Sequence, residues 1–399
     1  MCLVSSTNSP TPSTQSTGDV VYLTGATGFV GGMILKVCDA DSSISKVYTQ
    51  IRDKKGSTGQ ERFKAEGLDQ FEKTVFVSDT DSLPPDVTLV ILCAYEVKFH
   101  NPVDEILKSS VAPILHILDQ CEHAQHLRGI CLVSTSYVQN PLPYKRPEGN
   151  RIPFVLREHT SATALYESLV GGSQSWEQVK KKYNNDLSDH HKINCYAFSK
   201  HIMEHLVHEK YPNLPISVNR PSIVAPSRDG TYGHGVKAGL SLFMELGKSP
   251  ILRFPRNEGR LDIVSVDDVA EDIVLGASKL ARPAAISEIS GEYFHPVYLS
   301  TTSSEFSCLS LFAFSERKVK RFNVRTKPMR SALRKLELTM VALAFGRRKA
   351  KFVGRIYKSF DPVMANIWDF EASHVLKVSE FEDFTKCFYS KSSAVEGSK

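Results

Sequence analysis

Long uncharged apolar runs are missing from this chain of 399 residues. The best candidate, LTMVALAFG beginning at Leu338, is about half the length that a bilayer-spanning helix requires. The first 35 residues contain no Lys or Arg, so a secretory leader with its basic start is not expected. The final EGSK is not a peroxisomal address. Closely spaced cysteine pairs are also missing. The eight cysteines, Cys2, Cys38, Cys93, Cys121, Cys131, Cys195, Cys308 and Cys387, form no C-x-x-C and no Cys/His cluster of metal-site spacing. Several sit inside apolar runs such as TLVILCA and GICLVST, and they read as small core residues in a reducing compartment. These absences exclude a disulfide scaffold, a structural zinc site and a secreted protein. They leave a chain on the cytosolic side, with room for peripheral contact to an intracellular membrane such as the ER or a peroxisome.

What is present is an ordinary globular composition, 41% hydrophobic and 23% charged. The length exceeds one typical core, so a large domain with an appendage is expected. The net charge of +5 is mild, and no nucleic-acid partner is expected from it. Its distribution is uneven. Between Arg317 and Lys358 fifteen Lys or Arg residues face one acid, Glu337. That segment reads either as a solvated face or as a surface for phosphates or anionic membrane. Residues 5–17, SSTNSPTPSTQST, are polar and Ser/Thr/Pro-rich, and residues 1–18 are expected to be a disordered tail.

From Asp19 to about Ala281 strand and helix patterns alternate. The strand candidates DVVYLTG, KVYTQIR, KTVFVSD, TLVILCA and GICLVST are short Val/Ile/Leu-rich runs. Between them lie helical patterns in FVGGMILKVCDA and in residues 104–124. Such runs belong to a parallel sheet covered on both faces, which gives a doubly wound α/β fold of Rossmann type over 19–299. Residues 300–399 read as a small, basic, mostly helical region, with helical patterns in MRSALRKLELTMVAL and VGRIYKSFD.

TGATGFVG places Gly25, Gly28 and Gly31 between the first strand and the first helix. A glycine triplet in that context lets the backbone approach a pyrophosphate, which the N–H groups of the helix start then bind. Thr27 and Phe29 lie in the same turn. The second strand ends in Arg52, Asp53, Lys54 and Lys55. Arg52 suits a ribose 2′-phosphate, Lys55 can assist, and Asp53 is a competing signal for a free 2′-hydroxyl; NADPH is expected over NADH. Asp79 closes the third strand, placed for the adenine or simply as a turn former.

The fifth strand ends in Ser134, Thr135 and Ser136, and YAFSK follows downstream with Tyr196 and Lys200. Residues four apart share a helix face, so phenol and ammonium reach one site. A phenol of pKa about 10 is a weak acid at neutral pH, and a nearby ammonium makes it a better proton donor to a carbonyl oxygen gaining negative charge. Thr135, with Ser134 as the alternative, would hold that oxygen.

Thr135 and Tyr196 are 61 positions apart. The long insert near 140–190, with its own helical pattern WEQVKKKYNN, is expected to shape a substrate site. Taken as a set, VVYLTGATGFVG, IRDKKGSTGQERF, LCAYEVKFHNP, VSTSY, YAFSKHIMEHLV, VNRPSIVAP and LDIVSVDDVA resemble the blocks of the male-sterility-type fatty acyl-CoA reductases, extended short-chain dehydrogenases. FDPVMANIWDFEASHV is weakly similar to the C-terminal domain of that family. The resemblance implies reduction of a long-chain fatty acyl-CoA by NADPH to the aldehyde and then the primary alcohol. It also implies that Lys200 contacts the nicotinamide ribose and that Ala94 and Pro221 join the cofactor contacts. The chain also departs from the pattern: Ser110 stands where the superfamily often has Asn, Asp79 is preceded by Ser78 rather than Gly, and the region from Phe63 to Lys73 is shorter than usual. A reductase of carrier-bound thioesters and a non-catalytic NADP-binding sensor are the alternative readings.

Overall fold

The computed structural model describes residues 18–54, 56–97, 101–138, 156, 160–183, 195–233, 262–286, 293–301 and scattered positions between 336 and 354. Lys55, the tail, and most of the region beyond residue 301, including nearly all of the basic 317–358 stretch and FDPVMANIWDFEASHV, lie outside the described residues.

Seven parallel strands form the central sheet: β1 (Asp19–Thr24), β2 (Ile44–Gln50), β3 (Thr74–Val77), β4 (Leu89–Leu92), β5 (Gly129–Val133), β6 (Ile216–Pro221) and, at the far edge, β11 (Val297–Ser300). Their spatial order is β11-β6-β5-β4-β1-β2-β3. A separate pair, β7 (Ile223–Ala225) and β8 (Ile263–Ser265), and the antiparallel pair β9 (Ala285–Ile286) and β10 (Tyr293–Phe294) complete the strands among the described residues.

The central strands β4 and β5 are apolar and buried at nearly every position because both faces of the sheet are covered. Val20 and Tyr22 of β1, Val90 and Leu92 of β4, and Ile130 and Leu132 of β5 enter one core. Their neighbours Val21 and Leu23, Leu89 and Ile91, and Cys131 and Val133 enter the other. The first core is roofed by α3 (Val103–Ile106) and α4 (Ala112–Cys121), by α5 (Ala162–Val170) and α6 (Trp176–Lys182), and by α7 (Cys195–Lys210). The second is roofed by α1 (Phe29–Ala40), α2 (Gly59–Ala65) and α8 (Val266–Leu275). The chain leaves β1 toward β2 on one side and returns to β4 on the other. The resulting crevice at the carboxyl ends of β1 and β4 is where open α/β sheets bind ligands. A π-helical turn, Leu107–Val111, joins α3 to α4 beside that crevice.

The helix that carries Tyr196 and Lys200 is unusual. From Ala197 to His208 every residue of α7 is buried, among them Lys200, Glu204 and three histidines. Burial of polar groups is tolerated only where each finds a partner. Glu204 meets Arg220 of β6, whose Nε lies 3.0 and 3.2 Å from the two carboxylate oxygens, with both side chains 1% exposed. His208 Nδ1 lies 2.8 Å from Nδ1 of His295, whose Nε2 donates to the Tyr211 carbonyl at 3.1 Å. His201 and His205 pack edge to face, and His205 continues onto Phe294. The insert docks on this helix. Glu209 accepts from the backbone N–H groups of Ala162 and Thr163 at the start of α5, and Trp176 of α6 packs on Phe198 at 5.2 Å.

Removing one member of a buried ion pair strands the other, so Glu204→Ala should lower unfolding free energy by about 3–5 kcal/mol in urea titrations. Burial holds His295 neutral, with its pKa pushed down to about 4. The unfolded state therefore binds the extra proton first. Stability is full above the unfolded value near 6.5 and is lost as pH falls toward 4. Between pH 7 and 5 the urea-derived stability should drop by about 2 kcal/mol from this group, and His295→Asn should flatten that slope.

Candidate functional site

The crevice begins at the glycine turn. Gly25 adopts φ +81°, and a Cβ built there would lie 2.9 Å from the Ala94 backbone. A Cβ on Gly31 would lie 2.0 Å from the Gly25 carbonyl oxygen. Only glycine lets the first turn of α1 fold back this tightly. Gly28 N–H closes the turn on Gly25 O at 2.8 Å and serves as N-cap without any side-chain cap. No acid occupies the first turn. The N–H groups of Phe29, Val30 and Gly31 thus lack intrahelical partners and face a shape that a Cβ would fill, which fits a pyrophosphate. Thr24 Oγ1 accepts from the N–H groups of Cys93 and Ala94 at 3.1 Å each, tying the end of β4 to the cradle. The Phe29 ring stacks on Tyr232 at 5.8 Å, and the Tyr232 hydroxyl donates to Phe29 O at 2.7 Å.

Beyond β2 the two competing signals separate. Asp53 Oδ1 accepts from Gly59 N–H at 2.7 Å and so caps the start of α2. Arg52 Nη1 reaches the Ser109 carbonyl of the π turn at 3.4 Å. Arg62 of α2, which sequence reasoning did not single out, donates to Arg52 O at 2.6 Å and reaches Thr27 Oγ1 at 3.4 Å. The structure therefore brings a second arginine to the cradle. Asp79 stands exposed past β3, and in the turn there Ser78 N–H donates to Asp81 Oδ2 at 2.9 Å.

At the other end of the crevice, Lys200 Nζ donates to Val133 O at 2.6 Å and lies 3.5 Å above the centre of the Tyr95 ring. Burial drives its pKa down to about 7, with Cys93 and Glu204 opposing that fall. Tyr95 meets Tyr196 edge to face at 5.7 Å. Burial first, and Cys93 second, hold the Tyr196 hydroxyl well above the ordinary phenol range. In this arrangement the Lys200 ammonium donates to Val133 O and lies over the Tyr95 ring, while burial dominates the state of the Tyr196 hydroxyl. Burial likewise pushes the Cys93 thiol up to about 11, and Cys195 packs against the core.

The two hydroxyl candidates differ. Thr135 Oγ1 donates to Pro221 O at 3.4 Å and accepts from Tyr137 N–H at 3.4 Å. Ser134 Oγ is buried with no hydrogen-bond partner among the described residues. An orphaned hydroxyl beside the carbonyl that holds Lys200 is a group available to a ligand. Ser110, buried in the π turn, accepts from Glu96 N–H at 2.9 Å and so fixes the segment after β4.

A family model described as "Male sterility protein", of NAD-binding type, matches residues 23–78 and 77–273. The chain belongs to the male sterility protein family. Among its relatives, Fatty acyl-CoA reductase 1 of Homo sapiens is 24% identical over 308 residues, 67% of this chain and 56% of the relative. Fatty acyl-CoA reductase wat of Drosophila melanogaster is 24% identical over 318 residues, covering 66% and 54%. The chain spans about half the length of the curated relatives it matches. Among solved structures, the terminal R domain of the myxalamid PKS-NRPS biosynthetic pathway aligns with TM-score 0.62 at 18% identity, over 95% of this chain and 91% of that one. The reductase domain of a Mycobacterium tuberculosis non-ribosomal peptide synthetase aligns with TM-score 0.55 at 15% identity, over 97% and 94%. These likenesses establish the fold. Family and cradle together identify a nicotinamide dinucleotide as the cofactor.

Gly31→Ala sets a methyl against a backbone carbonyl rather than a flexible side chain, so the turn must open. Affinity for the nicotinamide cofactor, read by fluorescence titration, should fall about tenfold or more while the far-UV spectrum stays unchanged.

Proposed function

We propose that this protein is an NADPH-dependent oxidoreductase that reduces a long-chain fatty acyl-CoA thioester to the aldehyde and then to the primary alcohol. The observation that carries this reading is that Lys200 bonds the Val133 carbonyl, one residue before the unpartnered Ser134 hydroxyl, while Tyr196 of the same helix packs on Tyr95 just past the glycine cradle. The relatives named as fatty acyl-CoA reductases support the substrate class.

The bound nicotinamide supplies the hydride. The chain's own residues manage the oxygen. As negative charge grows on the carbonyl oxygen, the Tyr196 hydroxyl and a strand-end hydroxyl donate to it. A phenol held above its ordinary pKa stays protonated at any cellular pH, so it is always available as that donor. In the thioester step the oxyanion collapses, the carbon–sulfur bond breaks and CoA leaves as the thiolate, which takes a proton from water to become the thiol. In the aldehyde step the alkoxide takes the phenolic proton. Lys200, buried beside Val133, carries the positive charge that balances this transfer. No acyl-cysteine is required, which agrees with the high pKa of Cys93. Ser134 replaces Thr135 as the first candidate for the oxygen contact, because the Thr135 hydroxyl is already bonded to Pro221 and Tyr137.

The preference for NADPH rests on the arginines. Asp53 is turned into the start of α2, away from the role of gripping a ribose 2′-hydroxyl, while Arg52 and Arg62 flank the cradle. A guanidinium pair suits a phosphate dianion. Membrane contact through the basic 317–358 stretch belongs to the same proposal; those residues lie largely outside the described ones. No helix among the described residues is long and apolar enough to cross a membrane.

Purified protein incubated with NADPH and palmitoyl-CoA should consume the reduced nicotinamide and yield alcohol by mass spectrometry; binding of NADPH with no oxidation at any chain length would favour the sensor. Tyr196→Phe should lose at least about a hundredfold in kcat. Ser134→Ala should lose more in kcat than Thr135→Val, about a hundredfold. Arg62→Leu should raise KM for NADPH about tenfold and leave KM for NADH unchanged; equal effects on both cofactors would remove Arg62 from the 2′-phosphate.

A further inference from the structure

The segment after β4 sets a large aromatic ring, Tyr95, directly after Cys93 and Ala94, between the glycine cradle and the Tyr196–Lys200 pair.

Tyr95 is held from several directions. Its neighbours' N–H groups are fixed, Ala94 by Thr24 Oγ1 at 3.1 Å and Glu96 by Ser110 Oγ at 2.9 Å. Its hydroxyl donates to Ser199 Oγ at 2.9 Å, and Ser199 donates to the Tyr196 carbonyl at 2.8 Å. The ring is therefore pinned at both ends, with its edge toward Tyr196 and its face under Lys200.

The groups facing Lys200 are few. From the end of β4 come Cys93 and Tyr95, from α7 itself Tyr196 and Glu204, and from β5 the Val133 carbonyl. The Cys93 thiol is uncharged at neutral pH. The Glu204 carboxylate is committed to Arg220. Tyr95 and Tyr196 are both neutral, burial holding each phenol high. Among the described residues, this 2% exposed ammonium has one carbonyl and one π face as its immediate support. A desolvated cation over an aromatic face gains about 2 kcal/mol, close to what one and a half pH units of protonation require.

We propose that Tyr95 is a positioning residue of this site: its ring face, locked by Ser199 and Ser110, holds the Lys200 ammonium charged and in place beside Tyr196. The catalytic importance of that hold rests on the reading of Tyr196 and Lys200 as the reactive pair; the hold itself does not. The phenolic hydroxyl is needed for the lock and the ring for the charge, so the two functions separate in variants. Tyr95→Phe keeps the π face. Tyr95→Leu keeps an apolar neighbour and removes the face.

The test uses the full chain labelled with 13Cε-lysine, with the Lys200 resonance identified by its loss in Lys200→Gln. In the unaltered protein Lys200 Hε should sit upfield of the other lysines through the Tyr95 ring current. Tyr95→Phe should keep that upfield position and titrate within about 0.3 pH units of the unaltered protein. Tyr95→Leu should lose the upfield position and titrate about one pH unit lower. A Lys200 resonance without the ring shift in the unaltered protein, or a Tyr95→Leu midpoint equal to that of the unaltered protein, overturns the proposal. In parallel, the pH dependence of kcat/KM for NADPH at saturating palmitoyl-CoA reports the free enzyme. Because Lys200 acts as the ammonium, activity falls as pH rises through its pKa. The basic limb should move down with the NMR midpoint in Tyr95→Leu and stay in Tyr95→Phe. A shifted midpoint with an unmoved limb, or with no turnover in any variant, leaves the Tyr95 hold standing and sinks the catalytic reading of Lys200.

Discussion

The Glu204–Arg220 pair is the constraint on which the site depends. Helix α7 brings a phenol, an ammonium, a carboxylate and three imidazoles into a region that is otherwise apolar. Its apolar stripe, Phe198, Ile202, Met203, Leu206 and Val207, enters the first core, and its polar side chains are buried as well. Its seat is fixed also by directional bonds. Glu204 grips β6 one turn beyond Lys200, so the rotation and height of the helix against the sheet are set by two charged groups rather than by packing alone. Once that grip is made, Lys200 falls on the Val133 carbonyl at the end of β5, and Tyr196 falls beside Tyr95. The insert then closes over the far side of the same helix through Glu209 and Trp176. Reactive face and covered face are therefore two sides of one element.

Much of this was legible before any coordinates. Parallel strands in both cores need continuous branched apolar runs, and those runs mark β1, β2, β4 and β5 in the sequence within a residue or two. The glycine turn is legible because its steric demand is local: Gly25 and Gly31 are fixed by atoms within the same turn or the adjacent strand end. The YAFSK pair is legible because helical spacing alone puts Tyr196 and Lys200 on one face.

What was not legible depends on distant partners. The edge strand β11 is four residues long and pairs with β6 across an interval that carries no strand rhythm. The polar face of α7 reads in sequence as a surface helix, and only Arg220, His295 and Val133 make its burial tolerable. Arg62 looks like an ordinary charge on a short helix until the loop after β2 folds it onto the cradle. Spacing suggests that the Lys200 charge acts on Tyr196. In three dimensions that ammonium also donates to a backbone carbonyl and lies over the Tyr95 ring, and burial holds the Tyr196 phenol high, none of which spacing reveals. The choice between Ser134 and Thr135 likewise turns on which hydroxyl the fold has already used.

Asp53 has a consequence that reaches beyond its own bond. Its carboxylate caps the start of α2, and α2 carries Arg62. The acid that in other settings would argue for one cofactor thus steadies the helix that presents the base suited to the other. The two residues cannot drift independently: a chain that gave up Asp53 would loosen the seven-residue helix and blur the position of Arg62 with it. On the proposed NADPH reading, a substitution at Asp53 would therefore disturb the start of α2 and the placement of Arg62 together.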